Sequence, residues 1–78
     1  MRPKEMQCII TFHTTTQAML FEHAAKAAGF KGRIIPVPRE ITAGCGLSWK
    51  DNVEVREDLE RFLFEQRLIF DQIYELLL

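Results

Sequence analysis

The chain has 78 residues, of which 47% are hydrophobic and 27% charged, and its formal net charge is -1. This length fits one small domain, and the low charge gives no attraction to nucleic acid or to an acidic membrane surface. No apolar run approaches the ~20 residues that cross a bilayer, and no signal-peptide core follows the first residues. We therefore expect one domain over residues 1–78, located in the cytoplasm and not bound to a membrane.

The two cysteines are too few for a disulfide framework and fit a reducing compartment. Cys8 lies in an apolar run and is interpreted as a small buried hydrophobe. Cys45 lies between Gly44 and Gly46, whose lack of side chains leaves a thiol open to a partner and permits positive φ angles. Cys45 is therefore the candidate working residue of the chain.

The first part of the chain predicts a strand followed by a helix. Residues 7–12 are apolar and rich in β-forming types, which indicates a buried strand. Thr14 and Gln17 have the spacing of a capping box, and apolar residues recur on one helical face after them. A helix is expected over 15–28, ended by Gly29 in a left-handed cap.

The middle of the chain predicts two short strands around a loop. Residues 33–37 form the second strand, and Pro36 places it at a sheet edge because proline cannot donate a ladder hydrogen bond. Residues 38–46 contain two glycines and a proline and are expected to form a loop. A brief third strand follows over 47–49.

The last part predicts a second helix and a final strand. Asp51 and Asn52 are both suitable N-caps, and Glu57 and Arg61 have the spacing of an ion pair. The apolar positions then repeat at helical spacing, at Val55, Leu59, Phe62 and Leu63. Residues 68–76 are rich in Ile, Phe and Tyr, which favours a strand, although their alternation is imperfect and a helix is an alternative.

The order strand, helix, strand, strand, helix, strand is the split βαβ pattern of ferredoxin-like domains. We predict an α+β fold with a four-stranded antiparallel sheet, in the order 4-1-3-2, and two helices on one face. The second strand is an edge in this order, in agreement with Pro36.

This topology groups several polar residues with Cys45. His13 ends the first strand, Thr14 and Thr15 open the first helix, and Arg39 belongs to the loop before the third strand. Helix N-termini, histidine and arginine favour a thiolate over a thiol. We therefore expect His13 to approach Cys45, and all four residues to stabilise its anion.

Other kinds of site fit the sequence poorly. One loop cysteine and one histidine fall short of the four ligands of a structural zinc site, and we expect neither a metal nor a cofactor. A Cys-His hydrolase needs an oriented base and a substrate cleft, for which a chain of this length has little room. A turn containing an incidental cysteine stays open as the simplest alternative.

Three segments of the chain carry a resemblance to a known family: residues 9–15, residues 35–42 and Cys-Gly-Leu at 45–47. In order and spacing they resemble a selenium/sulfur carrier-like family of small bacterial proteins, and the similarity covers nearly the whole chain. Pro-Arg-Glu-Ile at 38–41, leading to Cys-Gly-Leu, is its most specific part. The chain departs from the family where Ala43 and Gly44 replace small hydroxyl residues.

The resemblance implies that Cys45 holds a sulfur or selenium atom, as a persulfide or selenosulfide, between a donor protein and an acceptor protein. Such a protein is a carrier rather than an enzyme with its own turnover. Two alternatives remain: a redox thiol switch, and a non-catalytic interaction module. The three leucines at 76–78 favour a homodimer in the second case, since a dimer would cover them.

Overall fold

The fold of the protein is a four-stranded sheet with two helices. The computed structural model describes residues 4–41 and 44–78. Its elements are β1 (Met6–Thr11), α1 (Thr15–Ala27), β2 (Arg33–Pro36), β3 (Leu47–Asn52), α2 (Arg56–Glu65) and β4 (Ile73–Leu77). The strand order is β2-β3-β1-β4, and each neighbouring pair is antiparallel. The predicted α+β, ferredoxin-like topology with sheet order 4-1-3-2 is confirmed.

The core lies between one face of the sheet and both helices. Phe21 of α1 is at its centre, with its ring 5.2 Å from that of Trp49 on β3 and 5.5 Å from that of Phe12. The helices contribute the buried side chains of Ala18, Phe21, Ala25, Leu59 and Leu63. Burial of each large side chain contributes about 1.5–3 kcal/mol, so this layer holds both helices on the predicted single face.

Helix α1 begins and ends close to the predicted residues. The Oγ1 atom of Thr14 accepts a hydrogen bond from the backbone N–H of Gln17, at 3.1 Å. The Gln17 side chain accepts from the N–H of His13 instead of completing the predicted box on Thr14. At the other end Gly29 has a φ of 93°, which confirms the predicted left-handed cap.

The third strand is longer than predicted because Asp51 does not act as a helix cap. Its carboxylate is buried and accepts from Trp49 Nε1 at 3.2 Å and from the backbone N–H of Asn52 at 2.8 Å. Asn52 is the cap, accepting from the N–H of Glu54 in a 3₁₀ turn at Val53–Val55. Helix α2 therefore begins only at Arg56.

Two further predictions near the carboxyl end are settled by the structure. Residues 73–77 pair with β1 as a strand, so the helical alternative is wrong and the strand is shorter than predicted. The predicted ion pair between Glu57 and Arg61 is also wrong. Arg61 lies 3.9 Å from Asp58, one residue closer along the helix. Both groups are exposed, so neither pairing contributes much to stability.

Candidate functional site at the end of β1 and the start of β3

Cys45 lies in the turn that leads into β3. Its Sγ atom accepts a hydrogen bond from the backbone N–H of Leu47, at 3.4 Å, and donates one to the Leu47 carbonyl oxygen, at 3.3 Å. The carbonyl of Gly46 accepts from the N–H of Val37 at 3.0 Å, which closes the turn onto the end of β2. The thiol is therefore held against the first residue of a sheet strand.

The two glycines beside Cys45 have different roles. Gly46 has a φ of 77°, a left-handed conformation that costs side-chain-bearing residues about 1–2 kcal/mol. Gly44 is not in that region, so only one of the two glycines uses the conformational freedom predicted for both. Both glycines are exposed, and the half-buried Cys45 packs against the edge of the core. The thiol is thus anchored on one side and uncovered on the other.

His13 lies beside this turn through its backbone. A Cβ atom on Gly44 would lie 3.4 Å from the His13 carbonyl oxygen. This proximity follows from the pairing of Thr11 with Ser48, which brings the end of β1 to the start of β3. The exposed imidazole of His13 contacts Asp71, with 3.8 Å between Nε2 and Oδ1. His13 is therefore placed between the turn of Cys45 and the approach to β4.

Asp71 is a polar residue of this region that the sequence did not single out. Its backbone N–H donates to the Thr11 carbonyl at 2.7 Å, and its Oδ2 accepts from the Thr11 hydroxyl at 3.4 Å. The predicted antiparallel pairing of β4 with β1 brings the approach to β4 near the end of β1, but it does not fix which residue lies beside His13. The predicted strand over 68–76 included Asp71 as an ordinary strand residue and did not place it before the strand.

Helix α1 begins at the same end of the sheet. Thr15 is its first residue and is exposed, whereas the hydroxyl of Thr14 is already engaged as the cap. The first N–H groups of a helix have no partner within it and carry a positive partial charge. Thr14 and Thr15 thus contribute a helix N-terminus next to His13. The Thr14 oxygen accepts the cap hydrogen bond, and its O–H group remains a donor.

Arg39 is less closely associated with Cys45 than predicted. It is exposed in a turn closed by the hydrogen bond from Ile41 N–H to the Pro38 carbonyl, at 3.0 Å. In the part of the chain that the structure describes, no hydrogen bond or ion pair joins it to Cys45. Residues 42 and 43, which complete the predicted loop, lie outside the described residues.

Cys8 differs from Cys45 in every respect that affects reactivity. It is fully buried in the core between the sheet and the helices. Burial is the main cause that raises its pKa from 9.0 to about 11, and the Arg56 charge opposes this only in part. A thiol that is buried and protonated reacts slowly. This agrees with the interpretation of Cys8 as a structural residue.

The residues that the structure describes contain neither a cluster of metal ligands nor a membrane-spanning helix. Over 4–41 and 44–78, no three histidine, cysteine or acidic side chains lie close enough together to hold a metal ion. No helix in the same ranges is long and apolar enough to cross a bilayer.

Comparison with known proteins identifies the family of the chain. Residues 7–75 match a family described as "Putative Se/S carrier protein-like". The chain belongs to this family. The match includes both His13 and Cys45, and it spans both helices and all of the sheet except the outer residues of β1 and β4. No curated protein and no solved structure matches the chain.

Proposed function

We propose that the protein is a sulfur or selenium carrier and that Cys45 holds the atom. The Cys45 thiolate attacks the outer sulfur of a donor protein's persulfide, the donor's S–S bond breaks, and the donor leaves as a thiolate. The product is a persulfide on Cys45. An acceptor thiolate then attacks the outer sulfur and releases the Cys45 thiolate. A selenosulfide transfers its selenium in the same way, and neither step needs an external oxidant or reductant.

The observation that carries this proposal is the half-exposed Cys45 thiol between two exposed glycines, in a chain of the carrier-like family. An S–S bond of about 2.05 Å places the outer atom beyond Sγ. The open side of the turn leaves room for that atom and for an approaching thiol. The contact with Leu47 on the opposite side fixes the direction in which the sulfur points.

The groups beside Sγ include a hydrogen-bond donor for the anion that the transfer requires. The Leu47 N–H donates to Sγ, and hydrogen bonds to a charged form stabilise it. The N-terminus of α1 supplies positive potential at this end of the sheet, and His13 lies beside it. We include Arg39 as the exposed cation of the loop, which acts when a partner binds.

The carrier role fits a small protein that works through partners. We propose that the donor and the acceptor supply the rest of the chemistry, in a reducing cytoplasm. A redox switch is the weaker alternative. It would form a disulfide with a partner or sense an oxidant through Cys45. An internal disulfide is disfavoured because Cys8 is buried and its pKa is raised.

Residue-resolved alkylation of the native protein at pH 7 tests the reactivity on which the proposal depends. The wild type, Cys8→Ser and Cys45→Ser are treated with iodoacetamide and mapped by peptide mass analysis. We expect rapid modification at Cys45 and, in the folded protein, slow modification at Cys8. Protection of Cys45 in the native state, with labelling only after unfolding, would remove the basis of the carrier role.

A second candidate, compatible with the first, is a homodimer formed through β4. Glu5 and Leu78 exchange both backbone hydrogen bonds, at 3.1 and 3.0 Å. Antiparallel ladders alternate, so the backbone groups of Ile73, Glu75 and Leu77 point away from β1. Proline and lysine, which commonly protect edges, are absent from β4. The other edge strand, β2, has such protection, because it contains a charged residue, Arg33, and a proline, Pro36.

A second copy of the chain fits this edge. Antiparallel pairing about a two-fold axis at Glu75 would place Ile73 of one copy opposite Leu77 of the other. The two Glu75 carboxylates would meet. Each is paired with Arg56, with 2.6 Å between Nη1 and Oε2, and the same guanidinium also pairs with Glu60. The exposed side chains of Phe64, Ile69 and Leu77 supply apolar surface for the same interface.

A further inference from the structure

A second polar site lies on the sheet, at the end of β3 opposite to Cys45. Three cations line a cavity of about 310 Å³: Lys31, Arg33 and Lys50. The amide side chains of Gln7 and Asn52 line it as well. The Asn52 amide oxygen accepts from the Glu54 N–H at 2.8 Å, so the NH₂ group of that side chain remains available as a donor.

The three cations are arranged in a way that costs stability. Arg33 and Lys50 are direct partners in the β2–β3 ladder, and like charges directly opposite each other destabilise a sheet. Among the residues that the structure describes, none of the three cations forms an ion pair. Asp51 also lines the cavity, but its two oxygens already accept from Trp49 Nε1 and from the Asn52 N–H.

Gly32 brings the cations together. A Cβ atom at this position would meet the Lys50 carbonyl oxygen and lie 2.7 Å from the indole ring of Trp49. Only glycine allows the backbone to pass this close to β3. The close passage places Lys31 and Arg33, the two neighbours of Gly32, beside Lys50. The path of the chain into β2 therefore brings the three unpaired cations together.

We propose that this cavity binds an oxyanion of the phosphate class, either free or as the phosphate group of a larger molecule. The guanidinium of Arg33 offers paired N–H donors, Lys31 and Lys50 supply point charges, and the two amides supply neutral donors. An anion bound between Arg33 and Lys50 would attract both side chains and so offset their mutual repulsion. The site is independent of the chemistry of Cys45.

Thermal unfolding in phosphate and in chloride, at matched ionic strength, tests the proposal. A ligand that binds only the folded state raises the melting temperature with its concentration. We expect inorganic phosphate to stabilise the wild type more than chloride does. In Arg33→Gln we expect phosphate binding to weaken about tenfold or more, since a hydrogen bond to a charged group is lost. In chloride the same variant should be at least as stable as the wild type.

Arg61→Gln is the matched control, because it removes the same charge from an exposed site on α2. It should keep the full response to phosphate. Glycerol phosphate is compared with inorganic phosphate, and binding of either compound supports the site. Tighter binding of inorganic phosphate would indicate a free anion as the ligand, and tighter binding of glycerol phosphate would indicate the phosphate group of a larger molecule. The proposal is overturned if phosphate and chloride act alike on the wild type, or if Arg33→Gln and Arg61→Gln respond equally.

Discussion

The Sγ atom of Cys45 lies between the two backbone polar groups of Leu47, 3.4 Å from its nitrogen and 3.3 Å from its carbonyl oxygen. The protonated thiol uses both contacts, as donor and as acceptor. The thiolate keeps only the bond from the N–H. The first residue of β3 thus fixes the position of the sulfur in either protonation state, while the two flanking glycines leave its outer side uncovered.

Substitution of Gly46 should destabilise the turn. In Gly46→Ala the methyl group meets no neighbour within 4 Å, but the φ of 77° is strained for alanine. We expect a loss of about 1 kcal/mol in the free energy of unfolding, after allowance for the less flexible unfolded chain. Urea denaturation measures it. Gly44→Ala, outside the left-handed region, is the control and should change stability by less than about 0.5 kcal/mol. Equal losses in the two variants would contradict the assignment.

Replacement of His13 should slow the reaction of Cys45. His13 lies beside the turn of Cys45, and we expect His13→Gln to reduce the alkylation rate of Cys45 at pH 7 by up to about fivefold, the factor that corresponds to the about 0.2–1 kcal/mol of an exposed electrostatic contact. Stopped-flow or mass-resolved kinetics on the Cys8→Ser background measures the rate. His23→Gln changes another exposed histidine, on α1, and should have no effect. If both variants react like the parent, His13 does not stabilise the thiolate.

Ionisation of Cys8 should make the protein less stable at high pH. Its pKa is raised by burial from 9.0 to about 11, so the unfolded chain loses the thiol proton first. The stabilising contribution is complete below pH 9 and is lost as the pH rises toward 11, in total about 3 kcal/mol. Denaturation of the wild type and Cys8→Ala across this range isolates the effect. The free energies of unfolding of the wild type and Cys8→Ala should converge as the pH rises. A constant difference between them would show that Cys8 is not responsible.

The sequence predicted the path of the chain better than the contacts of the site. The order of elements and Pro36 gave the sheet topology, and the Gly44–Gly46 segment was correctly placed before β3. The contact between His13 and Asp71 was not predictable, because it depends on where β4 starts to pair with β1. Pattern alone does not fix that register when the alternation of a strand is imperfect.

The basic cavity was missed for a similar reason. Lys31, Arg33 and Lys50 are ordinary surface residues in the sequence, and only the β2–β3 register makes two of them direct neighbours. Asp51 was interpreted as a cap because a carboxylate before a helix usually acts as one. Its burial under Trp49 depends on a tertiary contact, which residue spacing does not contain.

Disruption of the β4 edge should dissociate the proposed homodimer. In Leu77→Lys a charge replaces a leucine that is 58% exposed, at the point where the second copy would pack. Leu20→Lys changes a leucine of α1 with the same exposed fraction and serves as the control. Sedimentation equilibrium should show a dimer for the wild type and Leu20→Lys, and a monomer for Leu77→Lys. A monomeric wild type, or equal behaviour of the two variants, would contradict the β4 interface.

Intact-mass analysis after incubation with a low-molecular-weight persulfide tests the central claim most directly. The wild type and Cys8→Ser should each gain the mass of one sulfur atom, which mild reduction removes, whereas Cys45→Ser should gain none. A selenium donor should give the corresponding gain at the same residue. If the wild type stays unmodified, or if Cys45→Ser is loaded equally well, Cys45 is not the carrier residue.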